Sequence, residues 1–243
     1  MRHARIPLIL GGLAVLACGG EEPARDASAA PAPSEEPREP LPGSPPSATV
    51  VVLGTSLTAG MGLADPARES WAGQLQLLAD SAGIPVEVRN AGVSGDTSAG
   101  GLRRLAWLLQ NPMDVLVVEL GANDGLRGLG LSDLEENLRE IVRQARAANP
   151  EIRVVLVGME APTNLGAAYT REFREVFPRV AAEMDTELVP FLLEGVAGIP
   201  ALNQDDAIHP TARGHAVMAR VAWRVLEPIL RDAASAAASE SDA

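Results

Sequence analysis

The chain has 243 residues, 47% of them hydrophobic and 3% aromatic, and its formal net charge is −12 at pH 7. A chain of this length forms one sizeable domain or at most two small ones. The acidic balance argues against a nucleic-acid partner, because binding phosphates needs a basic face. All 20 basic residues are arginine, which excludes a P-loop lysine, a Schiff-base lysine and a Ser–Lys dyad.

The N-terminus has the layout of an export signal. Arg2 and Arg5 precede an apolar run over residues 6–17, which is too short to span a membrane as a helix. The run ends in VLAC, which resembles a bacterial lipobox, and Cys18 is the chain's single cysteine. We therefore expect residues 1–18 to be a lipoprotein signal with Cys18 lipidated. The alternative is an ordinary signal peptide with an incidental cysteine.

Two further stretches lack the composition of a folded domain. Residues 19–47 are rich in Pro, Ala, Ser and Glu, so they cannot bury a core and are expected to be a disordered tether. Residues 233–243 are similarly low in complexity and are expected to be a disordered tail. The folded domain is therefore placed at residues 48–232, an ordinary size for one domain.

Short runs rich in β-branched residues alternate with helical patterns through this domain. Five strands are expected, in the segments ATVVVLG, VEVRNAG, DVLVVELG, IRVVLVGM and ELVPFLL. Three of them are nearly continuous apolar runs, as in strands covered on both faces. Helices are expected over residues 70–82, 97–110, 131–148, 168–184 and 211–231. The alternation predicts an α/β fold, a three-layer flavodoxin-like sandwich with helices on both faces of a parallel sheet of about five strands.

The segment VVLGTSLTAG carries a serine directly after the first strand. In open α/β sheets, ligands bind beyond the carboxyl ends of the strands. Gly54 allows a sharp turn that exposes the Ser56 hydroxyl at that edge. The alternative is a serine or threonine that only caps a helix after a tight turn. This segment alone does not separate the two interpretations.

Three other strand ends carry polar or glycine-rich segments at the same edge. Gly95 lies in NAGVSGDTSAGG after the second strand, and Asn123 lies in LGANDGLRG after the third. Asp206 and His209 lie in NQDDAIHPTARGH after the fifth. Each segment also has a simpler explanation. Asn123 can belong to a turn, and Asp206 can cap the helix that begins at Pro210.

Together these residues supply the parts of serine-hydrolase chemistry. Ser56 needs a general base because a free hydroxyl is a poor nucleophile, and His209 can take its proton. Asp206 can hold the imidazole in the required tautomer and stabilise its charged form. The oxyanion hole can be formed by the N–H groups of Ser56 and Gly95 and by the side-chain amide of Asn123.

The other two histidines are not expected to act in catalysis. His3 lies in the export signal. His215 is expected to be a half-exposed residue of the last helix.

This set resembles the SGNH, or GDSL-type, hydrolase family, most closely its bacterial periplasmic arylesterase/thioesterase/lysophospholipase group. The resemblance covers nearly all of residues 50–228, and it is carried by SGDTSAGGLRRL, LGANDGLRG, MEAPTNLG and AIHPTARGH. It implies ester hydrolysis through an acyl-Ser56 intermediate, without a cofactor or a metal. The residues that it implies as invariant are Ser56, Gly95, Asn123 and His209, with Asp206 completing the triad.

One position departs from the family pattern. The family takes its name from Gly-Asp-Ser-Leu, and here Thr55 stands where the aspartate would be. A threonine hydroxyl can replace some of the aspartate's hydrogen bonds, so activity is expected to survive. The competing hypothesis is a tethered binding lipoprotein that keeps the fold without catalysis, and Thr55 is its only support.

The substrate pocket is expected to be lined by the loops GMGLADPARES and GLRGLGLSD. Their apolar side chains suit an acyl or aryl group, although core packing is the simpler explanation for at least half of the leucines. These residues are Met61, Leu63, Leu126, Leu129 and Leu131.

The composition and the N-terminal pattern also predict the substrate class, the partners and the location. The low aromatic content disfavours a sugar platform, so aryl esters, short or medium acyl esters, thioesters and lysophospholipids rank above carbohydrate acetyl esters. The expected partners are a small-molecule or lipid ester and, through the lipid anchor, a membrane. The protein is expected to be exported and to face the periplasm or the cell exterior.

Overall fold

The structure is a computed structural model that describes residues 48–241. The expected signal, the lipobox Cys18 and the expected tether over residues 19–47 lie outside the described residues. Within the described part of the chain, no helix combines the length and the apolar character needed to cross a membrane.

Five parallel strands form one sheet in the order β2-β1-β3-β4-β5. All five strands expected from the sequence are present, as β1 (Ala48–Gly54), β2 (Val86–Gly92), β3 (Val115–Glu119), β4 (Arg153–Val157) and β5 (Glu187–Val189). In the register of the central strands, Gly54 lies opposite both Gly92 and Glu119. The carboxyl ends of β1, β2 and β3 therefore align, and the loops that follow them share one edge of the sheet.

The helices form a layer on each face of the sheet, as the alternation predicted. In chain order they are α1 (Ser56–Ala59), α2 (Pro66–Glu69), α3 (Trp71–Ser81), α4 (Ser98–Leu108), α5 (Ala122–Leu126), α6 (Leu131–Ala148), α7 (Ala167–Glu183) and α8 (Ala212–Ser241). Helix α3 packs against α8, whereas α4 packs against α6 and α6 against α7. Short 3₁₀ turns lie at Thr163–Leu165 and Pro200–Leu202.

The core lies on both faces of the central strands. Every residue of β3 is buried, and β1 is buried except for partial exposure at Thr49. This burial explains the near-continuous apolar runs, because a strand covered on both sides has no face left for polar residues. The exception is Glu119, which is fully buried at the carboxyl end of β3.

The structure of residues 233–241 differs from what composition predicted. Composition placed them in a disordered tail, but α8 continues through Ser241. Ala233 and Ala234 are buried and belong to the core. Alanine has the highest helix propensity, so an alanine-rich segment that follows a formed helix extends it. Residues 242–243 of the expected tail lie outside the described residues.

Candidate active site

The turn after β1 presents Ser56. Thr55 precedes α1 as its N-cap, and its Oγ1 accepts the N–H of Leu57 at 3.4 Å. Ser56 is the first residue of α1 and is half-buried. A Cβ atom on Gly54 would lie 2.0 Å from Thr58 Oγ1 and 2.7 Å from Glu119 Oε2. Only glycine therefore allows the strand to end this close to the following helix.

Ser56, His209 and Asp206 form one hydrogen-bonded chain. His209 Nε2 lies 3.0 Å from Ser56 Oγ, and His209 Nδ1 lies 2.6 Å from Asp206 Oδ2. The other carboxylate oxygen, Asp206 Oδ1, accepts the backbone N–H groups of Ile208 and His209, each at 2.9 Å. The hydrogen bond from the His209 ring, followed by those two N–H groups, holds the pKa of Asp206 well below its usual range. The carboxylate is therefore charged at neutral pH and is fixed in orientation by its own turn.

Gln204 joins the histidine loop to the loop that follows Ser56. Its Nε2 donates to the carbonyls of Met61 at 2.8 Å and Pro210 at 2.9 Å. Its backbone N–H donates to the His209 carbonyl at 2.7 Å. Sequence reasoning missed this residue, because its partners come together only in the folded chain.

Asn123 and Gly95 lie on neighbouring loops. Asn123, in α5, donates from Nδ2 to the carbonyl of Asp96 at 2.8 Å, so it contacts the residue directly after Gly95. An amide carries two N–H groups, and this bond leaves the second for a ligand. Gly95 has a φ of 82°, in the left-handed region where glycine is favoured. The loops that carry the two sequence-predicted oxyanion residues, Gly95 and Asn123, are thus linked by this hydrogen bond.

A buried carboxyl lies beneath the Ser56 turn. Glu119 accepts the Thr55 N–H at 2.9 Å, the Thr55 hydroxyl at 3.0 Å and the Thr58 hydroxyl at 2.7 Å. Thr58 Oγ1 in turn accepts the indole N–H of Trp71 at 3.2 Å. Burial raises the pKa of Glu119 to about 7, against the opposing effect of these donors. Sequence reasoning missed this group, whose only signal was a charged residue ending an apolar strand.

The apolar side chains assigned to the pocket are not in the core. Met61, Leu126 and Leu129 are 50%, 45% and 40% exposed. Leu63 is half-buried, and Leu131 alone packs against the core while keeping partial exposure. The expectation that at least half of the four leucines pack in the core was therefore wrong, because Leu63, Leu126 and Leu129 lie in loops or a short helix beyond the strand ends.

Three of these side chains, those of Met61, Leu126 and Leu129, form with Ile208 what we call the apolar rim. Ile208 precedes His209 and is 49% exposed, and sequence reasoning did not assign it to the pocket. Leu126 follows Asn123 by three residues, and Met61 contacts Gln204 of the histidine loop through its carbonyl. The rim therefore belongs to the loops that carry the polar groups of the site.

His215 was expected to be half-exposed, but it is buried. Its Nδ1 accepts the backbone N–H of Trp71 at 3.1 Å, so the ring satisfies a donor at the start of α3. Burial, with a smaller contribution from the charge of His209, lowers the pKa of His215 to about 4. The packing of α8 against α3 accounts for the difference, since it covers the face of α8 that carries His215.

Comparison with known proteins supports the family that the sequence resembles. The family model described as GDSL-like Lipase/Acylhydrolase matches residues 52–217. Esterase TesA of Pseudomonas aeruginosa is 42% identical over 183 residues, which cover 75% of this chain and 89% of that protein. Thioesterase 1/protease 1/lysophospholipase L1 of Escherichia coli K12 is 38% identical over 183 residues, which cover 75% of this chain and 85% of that protein.

A solved structure extends the comparison to three dimensions. The crystal structure of the psychrotrophic esterase EstA from Pseudoalteromonas sp., inhibited by monoethylphosphonate, has a TM-score of 0.70 and 32% identity. The match covers 75% of this chain and 98% of that chain. The family match spans most of the described domain, from β1 to α8, and includes the loops of Ser56, Asn123 and His209. The chain therefore belongs to the GDSL-like lipase/acylhydrolase, or SGNH, family and is a serine ester hydrolase.

Proposed function

We propose that the protein hydrolyses carboxylic esters through an acyl-enzyme formed on Ser56, with His209 as general base and Asp206 as the group that orients it. The observation that carries the proposal is the continuous chain from Asp206 Oδ2 through the His209 ring to Ser56 Oγ, with contacts of 2.6 Å and 3.0 Å. The 3.0 Å contact is within the range for proton transfer from Ser56 to His209. The 2.6 Å contact is a hydrogen bond through which Asp206 orients the ring.

The proposed reaction has two halves that use the same base. In the first, His209 Nε2 takes the Ser56 proton as Oγ attacks the ester carbonyl carbon, and the resulting imidazolium protonates the leaving alcohol or thiol. In the second, His209 takes a proton from water as that water attacks the acyl-Ser56, and the imidazolium then returns the proton to Ser56 Oγ as the acid is released. The charged Asp206 stabilises the imidazolium in both halves.

Three donors are proposed to stabilise the oxyanion that develops on the carbonyl oxygen. Ser56 is the first residue of α1, so its N–H has no acceptor within the helix. The N–H of Gly95 and the second N–H of Asn123 Nδ2 come from the two neighbouring loops. Such donors act most strongly where charge develops during the reaction, because they are fixed before it begins.

The apolar rim supports aryl esters, short or medium acyl esters, thioesters and lysophospholipids as substrates. Exposed apolar side chains beside a polar site favour an acyl chain or an aryl ring. The names of the two relatives, an esterase and a thioesterase/lysophospholipase, agree with this range. A carbohydrate acetyl ester is disfavoured. No tryptophan is among the four rim residues: Trp71 is buried in α3, and Trp107 and Trp223 lie in α4 and α8.

We also propose that the mature protein is an exported lipoprotein, anchored at Cys18 and joined to its domain by residues 19–47. The support is the basic and apolar N-terminus that ends in VLAC, with the chain's single cysteine at the lipobox position. Anchoring would place the esterase domain near a membrane surface facing the periplasm or the cell exterior.

One hydrolysis panel tests the catalytic proposal. Wild type and Ser56→Ala would be assayed with nitrophenyl esters of increasing acyl length, acyl-CoAs, a lysophosphatidylcholine and an acetylated sugar. We expect turnover of the aryl and acyl esters by wild type and loss of turnover in Ser56→Ala. A preference for the acetylated sugar would overturn the substrate class. Absence of turnover on every substrate by folded wild type would favour the non-catalytic binding lipoprotein.

A further inference from the structure

Arg104 of α4 connects the loops that carry the three oxyanion donors. Its Nε donates to Asp96 Oδ2 at 2.6 Å, and its Nη2 donates to the Gly54 carbonyl at 2.9 Å. The Asp96 carbonyl accepts Nδ2 of Asn123 at 2.8 Å. One guanidinium therefore joins the end of β1 to the loop after β2 and, through Asp96, to the loop after β3.

Each contact lies one or two residues from a proposed donor. Gly54 precedes Ser56 by two positions, and Asp96 directly follows Gly95. Asp96 holds Asn123 itself through its backbone carbonyl. The relative positions of the three donors therefore depend on atoms that Arg104 holds.

The arginine is suited to this role by its geometry and surroundings. The side chains of Arg104 and Asp96 are only 22% and 16% exposed, so water screens their ion pair less than an exposed one. A planar guanidinium donates in two fixed directions at once, whereas a lysine ammonium is a point charge on a flexible stem. Charge-assisted bonds of this length are among the stronger hydrogen bonds in proteins.

Gly100 of α4 makes room for the arrangement. A Cβ atom on Gly100 would lie 2.3 Å from Asp96 Oδ1. The carboxylate can therefore lie against α4 only because that position is glycine. The helix thus carries both the charged donor and the space for its acceptor.

We propose that Arg104 is a positioning residue for the oxyanion hole: through Gly54 and Asp96 it sets the distances between the donors on the loops of Ser56, Gly95 and Asn123. The inference rests on the proposed roles of those three residues. Arg104 contacts none of the reacting atoms. Its loss should weaken stabilisation of the transition state and leave binding of the substrate ground state nearly unchanged.

The test is steady-state hydrolysis of a soluble nitrophenyl ester by Arg104→Met, which keeps an unbranched apolar stem and removes the donors. We expect kcat to fall about 10- to 100-fold, the scale for a misplaced catalytic geometry, with KM changed less than about twofold. Arg104→Lys should recover only part of the loss, since it cannot hold both acceptors in fixed directions. Arg103→Met is the matched control, because it removes an exposed charge from the preceding position of α4. Its kcat should equal that of wild type.

A double-mutant cycle with Asn123→Ala separates positioning from loss of stability. If Arg104 acts through the oxyanion donors, Arg104→Met should reduce kcat by a smaller factor in the Asn123→Ala background than in wild type. The same factor in both backgrounds would overturn the proposal, as would a raised KM with kcat unchanged.

Asp96→Asn and Ser56→Ala complete the test. If Arg104→Met does not fold, Asp96→Asn replaces it, and the same fall in kcat is expected because the amide lacks the charge that holds Arg104. A folded Asp96→Asn with wild-type kcat would then contradict the proposal. Ser56→Ala tests the proposed function separately: an inactive Ser56→Ala beside a fully active Arg104→Met overturns only the positioning role.

Discussion

The Thr55 hydroxyl donates to Glu119 Oε1 across 3.0 Å, and the Thr55 N–H donates to Glu119 Oε2 across 2.9 Å. Thr55 stands where the family's name-giving run has an aspartate, directly before Ser56. An aspartate there would place a second carboxyl against the buried Glu119. Threonine instead contributes a donor, so the turn before Ser56 is held by a hydroxyl–carboxyl pair without like-charge repulsion.

Restoring the family residue with Thr55→Asp should therefore make stability more dependent on pH. Two carboxyls in one buried site resist double ionisation, which raises the pKa of at least one of them. Such a raised pKa adds stability at low pH that is lost as pH rises through the titration of the pair. Thr55→Asp should therefore be less stable than wild type by a margin that grows between pH 6 and pH 9. That growth in the difference in free energy of unfolding should be at least about 1.4 kcal/mol, equivalent to one pKa unit.

Thr55→Asn is the matched control for this comparison, because it has nearly the shape of aspartate but no charge. Urea unfolding of the three proteins at both pH values gives the required differences. If the free energies of unfolding of Thr55→Asp and Thr55→Asn differ by the same amount at pH 6 and pH 9, the like-charge explanation is contradicted.

Asn123→Ala should lower kcat by roughly 10²- to 10³-fold, the scale for one oxyanion donor. KM should change much less, since the donor acts on charge that develops in the transition state. Initial-rate kinetics on a soluble aryl ester measure both parameters. If KM rises while kcat is retained, Asn123 binds the substrate or supports the fold, and its assignment to the oxyanion hole fails.

His215 should make the domain sensitive to acid. Its pKa is lowered to about 4 by burial, from about 6.5 in an unfolded chain. A depressed histidine pKa contributes stability that is present above pH 6.5 and is lost as pH falls towards 4. The full loss is about 3 kcal/mol, because each pKa unit corresponds to about 1.4 kcal/mol.

His215→Asn isolates this contribution, since its amide oxygen can still accept the Trp71 N–H but does not titrate. The free energies of unfolding of both proteins would be measured in urea at pH 7, 5.5 and 4.5. We expect the free energy of unfolding of wild type to fall relative to that of the asparagine variant as pH falls. Parallel pH profiles would show that the buried ring does not resist protonation.

Cys18→Ser should release the protein from the membrane without reducing the activity of its domain. A single acyl chain binds membranes only marginally, whereas several chains on one lipidated cysteine hold a protein firmly. Membrane fractionation of cells that express each form, followed by an esterase assay on both fractions, measures the effect. Wild-type activity found wholly in the soluble fraction would contradict lipid anchoring.

Local pattern was enough to predict the sheet and the proximity of Ser56, Asp206 and His209 at its edge. The apolar runs of β1, β3 and β4 have the length and composition of buried parallel strands, and the turn residues mark where each strand ends. Because parallel strands end at one edge of their sheet, the serine, asparagine and histidine segments that follow them are expected to lie together. The structure brings Ser56, Asp206 and His209 into hydrogen-bond contact there.

The contacts of Glu119, His215 and Arg104, which sequence reasoning missed, depend on long-range register or packing. Glu119 meets Thr55 because β1 and β3 pair with Gly54 opposite Glu119, which composition does not reveal. The burial of His215 follows from the packing of α8 on α3, and the contact of Arg104 with Gly54 crosses from a helix to a strand end. The helix over residues 233–241 differs, because its low complexity predicts disorder whereas the helix propensity of its alanines favours an extension of α8.

Covalent labelling tests whether Ser56 is an activated nucleophile. Wild type, Ser56→Ala and Asp206→Asn would be treated with a fluorophosphonate, and intact mass and peptide mapping would locate the adduct. We expect one adduct per wild-type chain on Ser56, none on Ser56→Ala, and slower labelling of Asp206→Asn, whose amide can hold the wrong tautomer of His209. Esterase activity in folded Ser56→Ala, or an inhibiting adduct at any other residue, would contradict it.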